Sequence, residues 1–129
     1  MLEQLETIWM SRAMSSHAAE RARLVAGNVA NADTPGYLSR DLAPFVETYR
    51  SAGAPPMRTT RPGHMEDGLS LGAGSRAIEE RGGQSPNGNS VSLEAEMVRT
   101  AEVKRQHDMS LAIYKSSLTM LRSALGRRG

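Results

Sequence analysis

The chain has 129 residues, a formal net charge of +2 and no cysteine. Its length allows one domain with a modest core, and the lack of cysteine excludes a disulfide framework and a thiolate metal site. Basic residues are interspersed with acidic ones, so the composition lacks the basic stripe that a nucleic-acid-binding surface needs.

The first six residues, Met1-Leu2-Glu3-Gln4-Leu5-Glu6, are acidic and amphipathic. They differ from a secretory signal, which has a basic start and an apolar core. No apolar run approaches the length of a bilayer-spanning helix, so we expect no membrane insertion. If the chain leaves the cytoplasm, we expect a route that does not depend on signal cleavage.

Residues 2 to about 32 predict one helix, because they are rich in helix formers and contain no proline. We therefore take residues 1–32 as the first segment of the chain. On a heptad repeat, two rows form an apolar seam. One row holds Met1, Ile8, Ser15, Ala22 and Val29; the other holds Gln4, Ser11, Ala18 and Val25, beside Leu5, Ala19 and Ala26. Because the middle of the seam is small, this helix should need partners on more than one side.

The helix pattern stops at a turn around Pro35 and Gly36. Pro35 pushes Thr34 out of the helical region, and Gly36 suits the positive φ that a type II turn requires. Tyr37 supplies a ring with a polar tip that can pack where the chain returns to the helix. The side chains that can bind open backbone groups at the helix end are Asn28, Asn31 and Asp33.

The second segment, residues 33–90, combines this turn with an irregular middle region. Leu42, Phe45 and Val46 fit a short extended or helical piece behind Pro44, and the sequence does not decide between the two. Residues 51–90 hold eight of the twelve glycines and four of the six prolines. We therefore expect a flexible or partner-ordered insert there, in which the sequence permits a short strand near Met57–Thr60.

The third segment, residues 91–129, predicts a second long helix that begins at Ser90 or Ser92 and ends at Gly126. Glu94 and Glu96 suit the positive end of this helix. Its apolar stripe comprises Leu93, Met97, Ala101, Leu111, Tyr114, Leu118, Leu121 and Leu125, interrupted by Lys104, His107 and Asp108.

These elements predict a mainly α fold in which the two terminal helices pair as an antiparallel coiled coil around a Gly/Pro-rich irregular middle segment. Pairing of residues 5–30 with 93–125 would bury both seams. The polar interruptions at Gln4, Lys104 and His107 would then either set the register or face neighbouring subunits.

The sequence predicts no catalytic, cofactor or metal residues. His17, His64 and His107 are far apart and lack metal-ligand spacing, so each is expected to be a surface or interface residue. Serine, histidine and aspartate all occur, but no nucleophile elbow or phosphate-binding loop frames them. An enzyme is therefore not expected.

Residues 28–37, Asn-Val-Ala-Asn-Ala-Asp-Thr-Pro-Gly-Tyr, resemble the Asn-x-Ala-Asn-x-x-Thr-Pro-Gly-Tyr signature of the bacterial flagellar rod and hook axial proteins, where it also closes the N-terminal helix. Residues 89–97 and 60–65 are similar to stretches of one branch, the flagellar basal-body rod protein B family. Residues 66–88 match no pattern of that family. The matching signature residues are Asn28, Ala30, Asn31, Thr34, Pro35, Gly36 and Tyr37.

The resemblance implies a structural subunit of the proximal rod, whose terminal helices pack into the axial tube that transmits torque. It implies export by the flagellar type III system and a final place in the periplasm-spanning rod. The implied partners are copies of the chain, other rod proteins, the basal-body adaptor protein and the export gate. The residues expected to assemble are Leu5, Ile8, Val25, Val29, Leu93, Met97, Leu111, Tyr114, Leu118, Leu121 and Leu125.

One alternative follows from the basic isoelectric point alone, which would suit a small helical nucleic-acid-binding protein. The local excess of basic residues is confined to Arg122, Arg127 and Arg128, where cations also suit the negative end of a helix. DNA binding that weakens steeply with salt would distinguish this alternative from an assembly subunit.

Overall fold

The computed structural model describes residues 2–52, 77–83 and 85–126. Two long helices and a small two-stranded sheet form most of this part of the chain. The elements are α1 (Leu2–Ala30), β1 (Ser39–Leu42), α2 (Phe45–Ala52), β2 (Ala77–Glu80) and α3 (Leu93–Gly126). The predicted mainly α fold with paired terminal helices is confirmed, because α1 and α3 pack against each other along their lengths.

The pairing of α1 with α3 is antiparallel. Arg21 in α1 binds Glu102 in α3 at 3.2 Å, whereas Ser15, nearer the start of α1, contacts His107, nearer the end of α3. The start of α1 therefore lies beside the end of α3. We refer to the pair as the helical hairpin.

Helix α3 begins at a local signal that the sequence contains. The N–H of Ala95 donates to the hydroxyl of Ser92 at 3.4 Å, and the N–H of Glu96 donates to the carbonyl of Ser92 at 3.0 Å. Ser92, rather than Ser90, is therefore the N-cap. The described part of the helix extends to Gly126.

The seam between α1 and α3 is built from small and polar residues. On α1 the predicted row Ser11, Ala18 and Val25 is buried. On α3 the buried row has the same seven-residue spacing, but its members are Glu96, Val103, Ser110 and Ser117. Burial of Ser11 and Ser110 costs little, because Ser11 donates to the carbonyl of Ile8 and Ser110 to that of His107 within their own helices.

The prediction that the apolar stripe of α3 faces α1 is wrong for most of that stripe. Met97, Leu111 and Leu118 each follow a buried residue by one position, about 100° around the helix. The stripe therefore lies beside the seam rather than in it. Its large exposed members are Leu93, Met97, Leu111, Tyr114 and Leu125, and Val29 of the first α1 row is exposed as well.

The segment that the sequence left undecided forms both a strand and a helix. Strand β1 pairs antiparallel with β2, with Ser39 opposite Glu80 and Leu42 opposite Ala77. The N–H groups of Glu47 and Thr48 donate to the carbonyl of Pro44, which starts α2. No regular element was predicted at 77–80, and the strand that the sequence permitted at Met57–Thr60 lies outside the described residues.

One face of the helical hairpin carries the sheet and α2. The buried side chain of His17 lies 2.9 Å from the Ala43 carbonyl through Nε2 and 3.2 Å from the Gln106 amide nitrogen through Nδ1. Its ring also meets Phe45 edge-on, with 5.6 Å between centroids. If Nε2 carries the proton, both hydrogen bonds are satisfied. His17 is thus an interface residue among three elements.

In the described ranges, no helix is long and apolar enough to cross a membrane.

Candidate functional site

The signature residues form the turn that the sequence predicts. The N–H of Tyr37 donates to the Thr34 carbonyl at 3.3 Å, and Gly36 has a φ of 71°. With Pro35 before this glycine, the geometry is that of a type II turn. The turn directs the chain from the end of α1 into β1.

Asn28 joins α1 to β1. Its side chain is 0% exposed, its amide donates to the Arg40 carbonyl at 2.8 Å, and its Oδ1 accepts from the Arg40 N–H at 2.9 Å. The Tyr37 hydroxyl lies 3.5 Å from the same oxygen. The expectation that Asn28 binds open groups at its own helix end is wrong, because these bonds make it a surrogate partner for the strand backbone.

Asn31 does bind its own helix end, because its amide donates to the Gly27 carbonyl at 2.8 Å. Its Oδ1 accepts from the Thr34 hydroxyl at 3.2 Å, which links the helix end to the turn. Asp33, the third predicted capping residue, has an exposed side chain. Ala30 is the last residue of α1.

Asn89 connects the segment before α3 to the end of α1. Its buried amide nitrogen donates to the carbonyls of Asn31, Ala32 and Thr34 at 2.8–2.9 Å. Its Oδ1 accepts from the Val91 N–H at 2.7 Å. Two amide hydrogens serve three carbonyls, so one hydrogen is shared. Sequence reasoning missed Asn89 as a site residue, although it opens one of the stretches that carry the resemblance.

The backbone around Asn89 also meets the signature turn directly. The N–H of Gly36 donates to the Asn87 carbonyl and the N–H of Ser90 to the Tyr37 carbonyl, both at 3.0 Å. Gly88 has a φ of 81°, and a Cβ added there would lie 3.4 Å from the Cα of Gly36. Glycine is therefore needed at 36 and at 88 for its positive φ, and an added Cβ at 88 would be in ordinary van der Waals contact with Gly36.

The hydroxyl of Ser90 completes this junction. It donates to the Glu80 carbonyl at 2.7 Å and accepts from the Ser39 N–H at 2.8 Å, and so connects β1, β2 and the approach to α3. We call Asn28, Gly36, Tyr37, Asn89 and Ser90 the signature junction. It ties the ends of both long helices to the sheet through buried hydrogen bonds.

An ion-pair cluster next to the junction binds the sheet to both helices. Arg21 of α1 forms a bidentate pair with Asp41 of β1, at 2.7 and 2.9 Å. Arg99 of α3 contacts Asp41 at 3.5 Å, binds Glu96 at 2.6 Å and also binds Glu80. Glu96 is 1% exposed, and no described residue pairs with its second carboxylate oxygen.

The cluster keeps Asp41 ionised. Burial alone raises the pKa of the Asp41 carboxyl, but the hydrogen bonds from Arg21 and the Leu42 N–H and the charges of both arginines outweigh burial. The pKa therefore lies below its ordinary value. The pKa of the Arg21 guanidinium is raised, because its hydrogen bond to Asp41 outweighs burial.

None of the residues predicted to assemble belongs to the signature junction. Val25 lies in the α1–α3 seam, and Ile8, Leu118 and Leu121 are half-buried. At the end of the hairpin opposite the junction lies a groove of about 390 Å³. We call it the end groove, and its described lining consists of Leu5, Ile8, Trp9, Ser11, Arg12, Ser15, Ser110, Leu111 and Tyr114. Sequence reasoning missed Trp9, which is 50% exposed and falls on neither heptad row.

Within the described residues, no group of three acidic or histidine side chains could hold a metal ion. What the arrangement provides is a helical hairpin locked at one end by the signature junction and apolar at the other.

The signature junction contains the residues by which the chain resembles the flagellar axial class of proteins. No protein-family model matches the chain. It is 34% identical to the flagellar basal body rod protein FlgB of Agrobacterium fabrum over 105 residues, which cover 78% of each chain. FlgB of Aquifex aeolicus is 31% identical over 84% of each chain, and FlgB of Cereibacter sphaeroides is 30% identical over 81% of this chain and 82% of its own. The chain belongs to the FlgB family of flagellar basal body rod proteins.

Proposed function

We propose that this chain is a non-enzymatic structural subunit of the rod of the bacterial flagellar basal body. The observation that carries the proposal is its similarity to FlgB proteins from three bacteria over roughly four fifths of the chain. The signature junction supports it, because its residues join the end of α1 to strand β1 and to the segment before α3, which is a structural use.

At a finer level, we propose that the subunit belongs to the proximal rod and that its terminal helices pack into the axial tube that transmits torque. The thin core supports this proposal, since the buried apolar side chains among the described residues are Ala13, Ala18, Val25, Leu42 and Val103. Meanwhile large apolar side chains of both long helices are exposed. Neighbouring subunits that cover them would stabilise the chain by burying apolar area.

The partners proposed are copies of the same chain, other rod proteins, the basal-body adaptor protein and the type III export gate. The proposed route is synthesis in the cytoplasm, export without signal cleavage and assembly in the periplasm-spanning rod. The resemblance of the signature to the axial proteins supports both proposals. A tryptic peptide ending at Arg12 and beginning at Met1 or Leu2, recovered from assembled material, is the expected trace of uncleaved export.

Deletion of the gene tests the proposed function. We expect cells without this chain to be non-motile and to lack rods and hooks in electron micrographs of their basal bodies, and we expect the wild-type gene to restore both. Motile deletion cells with normal rods would contradict the proposal. If the purified chain then bound DNA with a steep salt dependence, the nucleic-acid-binding alternative would replace it.

A further inference from the structure

Asn87 is the one asparagine of the chain that is followed by glycine. An asparagine loses its amide when the backbone nitrogen of the next residue attacks the side-chain carbonyl carbon and closes a succinimide ring. Glycine has no Cβ to hinder this attack, whereas Val29, Ala32 and Ser90 follow the other three asparagines. In the unfolded chain, Asn87 is therefore the asparagine that is most open to this reaction.

The folded chain holds the peptide group between Asn87 and Gly88 at both of its ends. The Gly88 nitrogen, which would have to attack, donates its hydrogen to the Ser85 carbonyl at 2.8 Å, and the Asn87 carbonyl accepts from the Gly36 N–H at 3.0 Å. Rotation of this peptide group towards the Asn87 side chain would break both hydrogen bonds. Asn87 is exposed, so these bonds, rather than burial, oppose the attack.

We propose that Asn87 is a site of spontaneous deamidation, which the signature junction closes in the folded chain and which unfolding opens. In this reaction a bond forms between the Gly88 nitrogen and the Asn87 Cγ, and the bond from Cγ to Nδ2 breaks. The ammonia that leaves carries away the hydrogen of the Gly88 nitrogen. Water then opens the succinimide ring at one of its two carbonyl carbons, so the steps need no oxidant, reductant or enzyme.

The two products differ in what they leave of the junction. Opening at Cγ gives aspartate with an unchanged main chain, and its carboxylate can still accept from the Asn89 N–H as the amide oxygen does. Opening at the main-chain carbon gives isoaspartate, in which the main chain runs through Cβ and Cγ and is longer by one carbon. The carbonyl that accepts from Gly36 then leaves the main chain as a carboxylate, and Asn89 is displaced from it. A chain that stays unfolded thus acquires a product that cannot rebuild the junction.

Deamidation of the purified full-length chain tests the proposal. The chain is kept at mildly alkaline pH in native buffer or in guanidinium chloride, and samples are digested briefly with trypsin. The tryptic peptide of residues 82–99 contains both Asn87 and Asn89, and its fragmentation in a mass spectrometer locates the modified residue. In guanidinium chloride we expect Asn87 to react severalfold faster than Asn89.

In native buffer we expect Asn87 to react at least about tenfold more slowly than in guanidinium chloride, because only molecules whose junction has opened can react. Equal rates at Asn87 in the two conditions would overturn the proposal. So would faster loss of the Asn89 amide than of the Asn87 amide in guanidinium chloride.

Ser90→Ala tests whether the junction provides the protection. It removes the hydroxyl that joins Ser39 to Glu80 and leaves the Asn87–Gly88 peptide unchanged. The rate at Asn87 should rise severalfold in native buffer and stay the same in guanidinium chloride. Ser116→Ala, at an exposed position of α3, is the matched control and should change neither rate. A native-buffer rate that Ser90→Ala leaves unchanged would contradict protection by the junction.

Refolding of aged chains tests the consequence of isoaspartate. After ageing in guanidinium chloride and dilution into native buffer, chains that resist limited proteolysis should be depleted severalfold in isoaspartate at position 87. An Asn87→Gln chain aged in parallel is the control, since its longer side chain closes a ring much more slowly while its other labile sites are the same; it should refold without loss. Equal isoaspartate in resistant and digested chains would overturn this consequence. These measurements concern the chain alone, so their failure would leave the proposed rod function as it stands.

Discussion

At the scale of single residues, the side chain that forms the most hydrogen bonds in the signature junction is an amide. Asn89 satisfies three carbonyls that the end of α1 and the following turn leave open, while its oxygen orders the approach to α3. A helix end that is buried needs such donors. The junction therefore depends on the chemistry of this group as well as on its shape.

The substitution Asn89→Asp tests that dependence, since a carboxylate keeps the shape but cannot donate. We expect the free energy of unfolding to fall by about 1–3 kcal/mol, because the carbonyls lose their donor and face a negative charge. Asn87→Asp is the matched control, because its Oδ1 only accepts from the Asn89 N–H in the structure and a carboxylate can do the same. Denaturant titrations of both variants compare them; equal losses would argue against the role assigned to the amide.

The positive φ of Gly36 gives a second prediction at this scale. Gly36→Ala should lower the free energy of unfolding by about 1–2 kcal/mol, because an L residue is strained at φ 71°. Gly82→Ala should change it by less than about 0.5 kcal/mol, since nothing lies within 4 Å of an added Cβ there. The β-branched Gly36→Val should go further and block incorporation into basal bodies, and full incorporation of the Gly36→Val chain would refute this explanation of the turn.

At the scale of elements, the sheet is attached to the two helices by charge. Arg21 and Arg99 come from different helices, and both contact Asp41 of β1. Removing one partner of such a half-buried cluster leaves the others without compensation. This attachment should therefore be sensitive to acid.

Because the pKa of Asp41 is lowered in the folded chain, its contribution to stability is complete above its unfolded pKa, about 3.9, and is lost as pH falls through the folded value. We expect the free energy of unfolding of the wild-type chain to exceed that of Asp41→Asn near neutral pH and the two to converge in acid. Asp33→Asn removes an exposed carboxylate for which the described structure provides no ion pair. The free energy of unfolding of this variant should change with pH in the same way as that of the wild type. A difference in free energy of unfolding between the wild type and Asp41→Asn that stays constant down to low pH would contradict the role assigned to ionised Asp41.

The terminal turns of the long helices are predicted to be needed for assembly rather than for the junction. Deleting residues 1–10 or 118–129 removes part of the α1–α3 pair and of its exposed apolar surface, so either truncation should abolish incorporation into basal bodies. Removing only residues 127–129, which follow Gly126, should not abolish incorporation. Immunoblots of purified basal bodies compare the three chains, and normal incorporation of either long truncation would count against the assembly role of the helices.

At the scale of the whole molecule, local sequence signals predicted where the helices and the turn lie better than they predicted which residues these elements bury against each other. The start of α3 and the turn at Pro35 and Gly36 follow from sequence, because N-caps, glycine and proline act on neighbouring backbone. The residues that α3 buries against α1 did not follow from the sequence. Glu96 is buried with an arginine as its partner, and Ser110 and Ser117 are buried in the close seam between the helices. The periodicity of apolar residues reveals neither arrangement.

The junction was predicted in part for the same reason. The signature residues stood out in one stretch of chain, but their partners Asn89 and Ser90 lie more than fifty residues away, and strand β2 has no pattern of its own until β1 pairs with it. The end groove was missed because Trp9 departs from both heptad rows of α1. Long-range pairing, rather than local propensity, decides where these residues lie.

The central claim is that this member of the FlgB family is built into the rod. Quantitative mass spectrometry of detergent-purified hook-basal bodies from the source cells tests it most directly. We predict that peptides of this chain are enriched together with those of the other rod and hook proteins, and that this enrichment disappears in cells whose flagellar export is blocked. Peptides found only in the soluble cytoplasm of flagellated cells would contradict the claim.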